Sequence, residues 1–125
     1  MNDRRSARRF NAQQGTLRVH AAAEQAAGHK LVDFSYNSAR FLAPNVFETE
    51  QELIFDLQTE GHHINALKGY VIRVENAAEF QSKYFVVIKF FPFSTLEKYN
   101  SLENYENLKS LITRMQNKDP DSSIS

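Results

Sequence analysis

The chain has 125 residues with 15 Lys and Arg and 15 Asp and Glu side chains, so its formal net charge is +0 at pH 7. This length supports one domain with a sizeable core, and the charge balance provides no general attraction to nucleic acid. The absence of cysteine excludes disulfides, thiolate catalysis and Cys-based zinc sites, and it favours a reducing compartment such as the cytoplasm. The longest apolar stretch, residues 84–93, is too short to span a bilayer, so we expect no membrane insertion.

The N-terminal segment, residues 1–14, is polar and has neither helical nor strand periodicity. We predict a flexible arm that becomes ordered only when a ligand binds. Its basic residues form a cluster of Arg4, Arg5, Arg8 and Arg9. Guanidinium groups are always charged, bind oxyanions in a two-pronged fork and stack on flat rings. The arm therefore suits a ligand that carries phosphates.

Six segments that follow the arm are rich in alternating apolar residues, which predicts β-strands. They are residues 16–23, 29–36, 39–42, 52–57, 63–74 and 83–91. Short polar connections with no helix separate them, which favours an antiparallel barrel or sandwich. Gly69 inside the fifth segment predicts a bulge or bend that curls the sheet. The sixth segment is the most apolar and is expected to be buried on both faces.

A helix is predicted after the last strand. Residues 94–97, with the sequence Ser-Thr-Leu-Glu, match a capping box that begins a helix. Apolar residues then recur at helical spacing, namely Leu102, Tyr105, Leu108, Leu111, Ile112 and Met115. We expect this helix to pack on the barrel or on a partner. The predicted organisation is a flexible arm (1–14), an all-β domain with a C-terminal helix (15–116) and a disordered tail (117–125).

The second predicted strand carries polar residues. Asp33 and Ser35 alternate with Phe34, so both polar side chains are expected on the face opposite the core, together with Leu31. A carboxylate accepts hydrogen bonds from N–H groups, and a hydroxyl donates or accepts. This pair suits the edges of a purine base, and with the arginines of the arm it suits a ligand that carries both purines and phosphates.

Arg5-x-x-x-Arg9, followed later by Asp33-x-Ser35-x-x-Ser38, resembles the two-part signature of PilZ domains. In that family, Arg-x-x-x-Arg and Asp/Asn-x-Ser-x-x-Gly together bind the bacterial second messenger cyclic di-GMP. The resemblance covers most of the chain and implies a six-stranded antiparallel β-barrel with a final helix. The one departure is Ser38, which stands where the family has a glycine that tolerates positive φ and close approach of a ligand.

The resemblance implies a role for each motif residue. Arg5 and Arg9 would hold the phosphates and stack on guanine, Asp33 and Ser35 would bind guanine edges, and Ser38 would line the turn. The implied protein is a non-enzymatic bacterial sensor without a cofactor. Closure of the arm over cyclic di-GMP would be the signal, and an unidentified downstream protein would receive it.

Two registers of the arginine motif fit the sequence. Arg4 and Arg8 repeat the spacing of Arg5 and Arg9 one residue earlier. We prefer Arg5 and Arg9 because Phe10 directly follows them and can anchor the arm on the barrel. Arg4 and Arg8 would then add general attraction for phosphate.

The sequence also has features of other functions. A degenerate PilZ-like module would act through protein contacts in pilus assembly, motility or secretion without the nucleotide, and Ser38 and the apolar helix favour it. An RNA-binding barrel would interleave basic residues with exposed aromatics, whereas this chain groups four of its eight arginines at one end. His62 and His63 are expected on opposite faces of a strand and predict no metal site. Asp56 and His63 offer an acid and a base, but no nucleophile or cofactor loop joins them.

Overall fold

The computed structural model describes residues 10–20, 28–44, 47–59, 61–77 and 83–118. Its elements are β1 (Phe10–Val19), β2 (Gly28–Phe34), β3 (Ser38–Ala43), β4 (Glu52–Thr59), β5 (His62–Asn76), β6 (Tyr84–Phe90) and the helix α1 (Leu102–Lys118). The strands pair antiparallel and close into a barrel in the order β1-β2-β3-β6-β5-β4, with β4 also paired to β1. The predicted six-stranded antiparallel barrel with a C-terminal helix is confirmed.

The boundaries of the barrel and helix differ slightly from the predicted ones. The first strand begins at Phe10 rather than at residue 16, so residues 10–14 of the predicted arm belong to the barrel. The helix extends to Lys118, beyond the predicted end at residue 116. Within the described part of the chain, no helix has the length and apolarity needed to cross a membrane.

The core follows the predicted burial pattern in three strands. In β1, Leu17 and Val19 are at most 1% exposed. The alternate apolar residues of β4 are also buried, namely Leu53, Phe55 and Leu57. In β6, Val86, Val87 and Ile88 are consecutive and at most 5% exposed. Because successive side chains of a strand point to opposite faces, β6 is buried on both faces, as predicted.

A bulge in β2 makes the predicted faces of that strand wrong. Leu31 and Asp33 pair with consecutive residues of β3, which leaves Val32 as an extra residue. An extra residue shifts the two-residue period of a strand by one. Leu31 and Phe34 therefore both lie in the core, at 0% exposure, although the unbroken alternation placed Leu31 on the outer face.

Two bulges in β5 change which of its side chains face the core. The register against β4 shifts beside Ala66, which has a φ of 60°, and Leu67 rather than Ala66 is buried. The register against β6 shifts between Val71 and Arg73. As a result Val71 is fully buried, while Ile72, which an unbroken alternation from the buried Ile64 would place on the inner face, is 43% exposed.

Gly69 lies between these bulges and is not itself bulged, so the bulge predicted at this residue is absent. It pairs with Leu53 on one side and Phe90 on the other. A Cβ atom at this position would lie 2.6 Å from the carbonyl oxygen of Lys89 and 2.7 Å from Cγ2 of Ile88. The glycine is therefore needed for the close approach of β5 to β6.

The helix begins later than the capping box at residues 94–97 predicts. The Oγ of Ser101 accepts a hydrogen bond from the Asn104 N–H at 3.1 Å, so Ser101 is the N-cap of α1. The Oγ of Ser94 instead accepts from the Leu96 N–H within a turn. Local hydroxyl bonds of this kind stabilise turns as well as helix starts, and the sequence pattern alone does not distinguish them.

One face of α1 joins the barrel core. Leu108, Leu111 and Ile112 are at most 1% exposed, and the ring of Tyr105 lies 5.2 Å from that of Phe93. Leu102, predicted as part of the same apolar stripe, is 48% exposed. The helix thus packs on the barrel, as predicted, but its first turn contributes an apolar side chain to the surface.

His29 belongs to an aromatic cluster beside the barrel core. Its ring lies 5.3 Å from the ring of Phe41 and 6.2 Å from that of Phe47. Desolvation lowers the pKa of His29, because burial disfavours the charged imidazolium. Its role in the described structure is packing.

Candidate ligand-binding site

The β2–β3 turn brings three of the predicted site residues together. Asp33 lies near the end of β2, Ser35 lies in the turn and Ser38 begins β3. The Ser35 N–H donates to the carbonyl oxygen of Ser38 at 2.8 Å and closes the turn. The motif Asp33-x-Ser35-x-x-Ser38 therefore forms one compact hairpin end.

The hydroxyl of Ser35 is bonded within this turn. Its Oγ donates to Oδ1 of Asn37 at 2.9 Å, accepts from the Asn37 N–H at 3.3 Å and lies 3.2 Å from the Oγ of Ser38. Because a hydroxyl has one proton, Ser38 is the donor in the contact between the two serines. Ser35 is fully buried and Ser38 is 8% exposed, so the network fixes the shape of the turn.

Serine is compatible with the backbone at position 38. Positive φ values among the described residues occur at Gln14, Glu50, Gly61 and Ala66. The backbone of Ser38 therefore has a conformation that any residue can adopt. The departure from the glycine of the PilZ motif causes no backbone strain here.

Asp33 forms an ion pair with Arg40, its cross-strand neighbour in the hairpin. Nη2 of Arg40 donates to Oδ2 of Asp33 at 2.6 Å. The Asp33 side chain is 6% exposed and that of Arg40 is 34% exposed. The expectation that Asp33 and Ser35 are presented on an open face is thus wrong, because Arg40 covers the carboxylate and the turn encloses the hydroxyl.

An aromatic ring supports the same guanidinium. Cζ of Arg40 lies 5.0 Å from the centroid of the Phe85 ring, within the range of a cation–π contact. The carboxylate of Asp33 and the ring of Phe85 together hold the guanidinium plane. Arg40 is the more exposed partner of this ion pair, and the sequence reasoning missed it. The available signal was the opposite charge of Asp33 and Arg40 on the two sides of a predicted turn.

The arginines of the predicted arm, Arg4, Arg5, Arg8 and Arg9, lie outside the described residues. Phe10, which follows them, is 6% exposed in the barrel core, with its ring 6.0 Å from that of Phe34. Phe10 anchors the start of β1 on the barrel, as predicted. Because Phe10 pairs with Phe34 at the end of β2, the arm is attached to the barrel beside the β2–β3 turn.

A separate groove of about 770 Å³ lies between β5, the loop of residues 94–99 and the start of α1. Its lining includes His63, Asn65, Lys68, Leu96, Leu102 and Asn104. Its charged side chains are few, and Nζ of Lys68 already donates to the carbonyl oxygen of Glu97. Compared with the hairpin end, this groove is poorly suited to a phosphate ligand.

Asp56 pairs with a different histidine from His63, the one considered with it in the sequence. Oδ1 of Asp56 lies 2.8 Å from Nε2 of His20 and accepts from the Ala66 N–H at 2.8 Å. His63 instead lines the groove. Among the described residues there is no group of three or more His, Asp or Glu side chains that could hold a metal ion.

Comparison of the chain with protein-family models, with curated proteins and with solved structures found no match. The chemistry of the hairpin end is therefore the basis for assigning a function. It combines a guanidinium held on a carboxylate and a ring, a hydrogen-bonded turn, and the attachment point of an arginine cluster. Guanidinium groups in such surroundings suit a ligand with phosphates and planar bases.

Proposed function

We propose that the protein is a non-enzymatic, PilZ-like sensor that binds cyclic di-GMP at the β2–β3 turn and passes the signal to a partner protein in the bacterial cytoplasm. The observation that carries this proposal is the pairing of Phe10 with Phe34. It attaches the arginine-rich segment to the barrel beside the turn that contains Asp33, Ser35 and Ser38. A ligand that needs both motifs would then bind at this end of the barrel.

The arginines of the arm would recognise the phosphates. Arg5 and Arg9 would bind the phosphate oxygens and stack on guanine, as the resemblance to PilZ domains implies. Arg4 and Arg8 would add general attraction for the anion. Residues 33–40 would form the surface that the base contacts, and Ser38 would line the turn.

The energetics of the arm explain why several arginines are needed. Fixing the backbone of one residue costs about 1–2 kcal/mol, whereas a hydrogen bond to a charged group contributes about 1.5–3 kcal/mol. Ordering a segment of several residues therefore requires several charge-assisted bonds. Closing the arm over the ligand would change the surface presented to a partner, which is a physical basis for signalling.

Calorimetric titration with cyclic di-GMP tests this function. We expect the wild-type protein to bind with a Kd below about 10 μM, or roughly 7 kcal/mol of affinity. The double variant Arg5→Ala, Arg9→Ala loses at least two charge-assisted bonds, so its affinity should fall at least roughly 100-fold. The matched control, Arg73→Ala with Arg114→Ala, removes the same charge from exposed positions on β5 and α1 and should bind like the wild type. Absence of binding by the wild-type protein would contradict the proposal.

The second candidate function is a protein-interaction module that does not bind the nucleotide. Two exposed leucines at the groove favour it, since Leu96 is 56% exposed and Leu102 is 48% exposed. Under this function, the Arg5→Ala, Arg9→Ala variant keeps its partner, and substitution of these leucines removes it. The titration with cyclic di-GMP separates the two functions.

A further inference from the structure

We propose that Arg40 is the side chain that recognises guanine, and that Asp33 is a positioning residue that holds the Arg40 guanidinium. This inference rests on the proposed binding of cyclic di-GMP and names the group that selects its base. It changes the role that the PilZ motif implies for Asp33, which was direct contact with a guanine edge.

Asp33 and Arg40 differ in how accessible their side chains are to a ligand. The Asp33 side chain is 6% exposed, and its Oδ2 already accepts from Nη2 of Arg40 at 2.6 Å. Ser35 is fully buried, and its hydroxyl is bonded within the turn. A ligand on the outer surface would have to displace an ion pair to reach Asp33. The Arg40 side chain is 34% exposed and needs no such rearrangement.

The guanidinium of Arg40 is held in position before any ligand arrives. Asp33 fixes it through one nitrogen, and the ring of Phe85 lies 5.0 Å from its Cζ. A guanidinium has five N–H donors. In Arg40, one N–H of Nη2 is bonded to Asp33, and Nε is buried without a hydrogen-bond partner among the described residues. The donors that remain for a ligand are those of Nη1 and the second N–H of Nη2. A fork held in this way loses little conformational freedom when it binds.

The remaining donors match guanine better than adenine. Guanine presents two acceptors, O6 and N7, on one edge, and an arginine can bind both at once. Adenine presents N7 beside the N6 amino group, which is a donor, so an arginine facing that edge meets one acceptor and one opposing donor. Arg40 would therefore select cyclic di-GMP over cyclic di-AMP, two ligands with the same phosphates and different bases.

The test compares both cyclic dinucleotides by calorimetry on the wild type, Arg40→Lys and Asp33→Asn. The wild type should prefer cyclic di-GMP by at least about 10-fold. Arg40→Lys keeps the positive charge but lacks the planar fork, so it should lose about 10-fold or more in affinity for cyclic di-GMP and most of the preference. Asp33→Asn keeps an amide oxygen for Arg40 and should retain more of the preference than Arg40→Lys does. The control Arg73→Lys makes the same exchange on β5.

The possible results distinguish this inference from the proposed function. If the wild type binds cyclic di-GMP and Arg40→Lys keeps both affinity and preference, the inference is wrong and the proposed function stands. If Asp33→Asn abolishes the preference while Arg40→Lys retains it, Asp33 contacts the base directly and the assigned roles are wrong. If the wild type binds neither ligand, both proposals fail. Should Arg40→Lys not fold, Phe85→Leu replaces it, because losing the ring under the guanidinium should also weaken the preference for guanine.

Discussion

Replacing Asn100 with alanine is expected to lower the free energy of unfolding by about 4 kcal/mol. Asn100 is 1% exposed. Its side-chain amide makes hydrogen bonds to the backbone of Lys68 in β5 and of Phe91, as a neighbouring strand would. Its Oδ1 accepts from the Lys68 N–H at 2.6 Å, and its Nδ2 donates to the carbonyl oxygens of Lys68 at 3.0 Å and Phe91 at 2.8 Å. Alanine removes these bonds. The Lys68 carbonyl oxygen still accepts from the Phe91 N–H at 2.9 Å, whereas the Lys68 N–H and the Phe91 carbonyl oxygen lose their bonds to Asn100. Each buried polar group left unpaired costs about 1–3 kcal/mol.

Urea unfolding of the variant at pH 7 measures this loss. The matched control is Asn104→Ala, because Nδ2 of Asn104 donates to the carbonyl oxygen of Asn65 at 2.8 Å in an exposed bond, and its Oδ1 accepts only a long bond of 3.5 Å from Nδ2 of Asn107. Loss of these weaker side-chain bonds should cost about 1 kcal/mol or less. The pairing of β5 with β6 ends at Gly69. Equal losses of unfolding free energy in the two variants would show that the Asn100 side chain does not extend this pairing.

Replacing Gly69 with alanine should lower the free energy of unfolding by about 3 kcal/mol, the upper part of the usual cost of overpacking. The new Cβ would lie 2.6 Å from the carbonyl oxygen of Lys89, and β5 is paired on both sides at this residue. Neither neighbouring strand can move away without disturbing its own pairing. We therefore expect a large decrease in the urea midpoint without a change in the fold.

Gly61→Ala is the control for Gly69→Ala because it tests backbone conformation without a steric clash. Gly61 has a φ of 79°, and a Cβ built there has nothing within 4 Å. The left-handed conformation alone should cost alanine about 1–2 kcal/mol. A Gly69→Ala variant as stable as the wild type would contradict the close approach of β5 to β6.

The regular alternation of the sequence was sufficient to predict an antiparallel barrel or sandwich, and the resemblance to PilZ domains selected the six-stranded barrel. The buried residues Leu17, Leu53 and Phe55 all lie where a period of two placed them. The bulges were not predictable in the same way, because an extra residue such as Val32 or Ile72 has no characteristic composition. Each bulge becomes visible only once the partner strand fixes the register.

The candidate site was predicted in part. The proximity of Asp33, Ser35 and Ser38 follows from a short hairpin, and the role of Phe10 as an anchor follows from its apolar side chain after a polar arm. The burial of Asp33 was not predicted, because it depends on Arg40 reaching across from the paired strand. A cross-strand contact requires the hairpin register, and the bulge at Val32 changes that register.

Hydrogen–deuterium exchange with and without cyclic di-GMP tests most directly whether the two motifs form one binding site. The account predicts slower exchange on binding in residues 4–10 and 33–40, because both the arm and the hairpin end would contact the ligand. Exchange in residues 62–68 and 101–108, which flank the groove at α1, should stay the same. Slower exchange confined to the groove, or no change anywhere at saturating ligand, would contradict a cyclic di-GMP site at the β2–β3 turn.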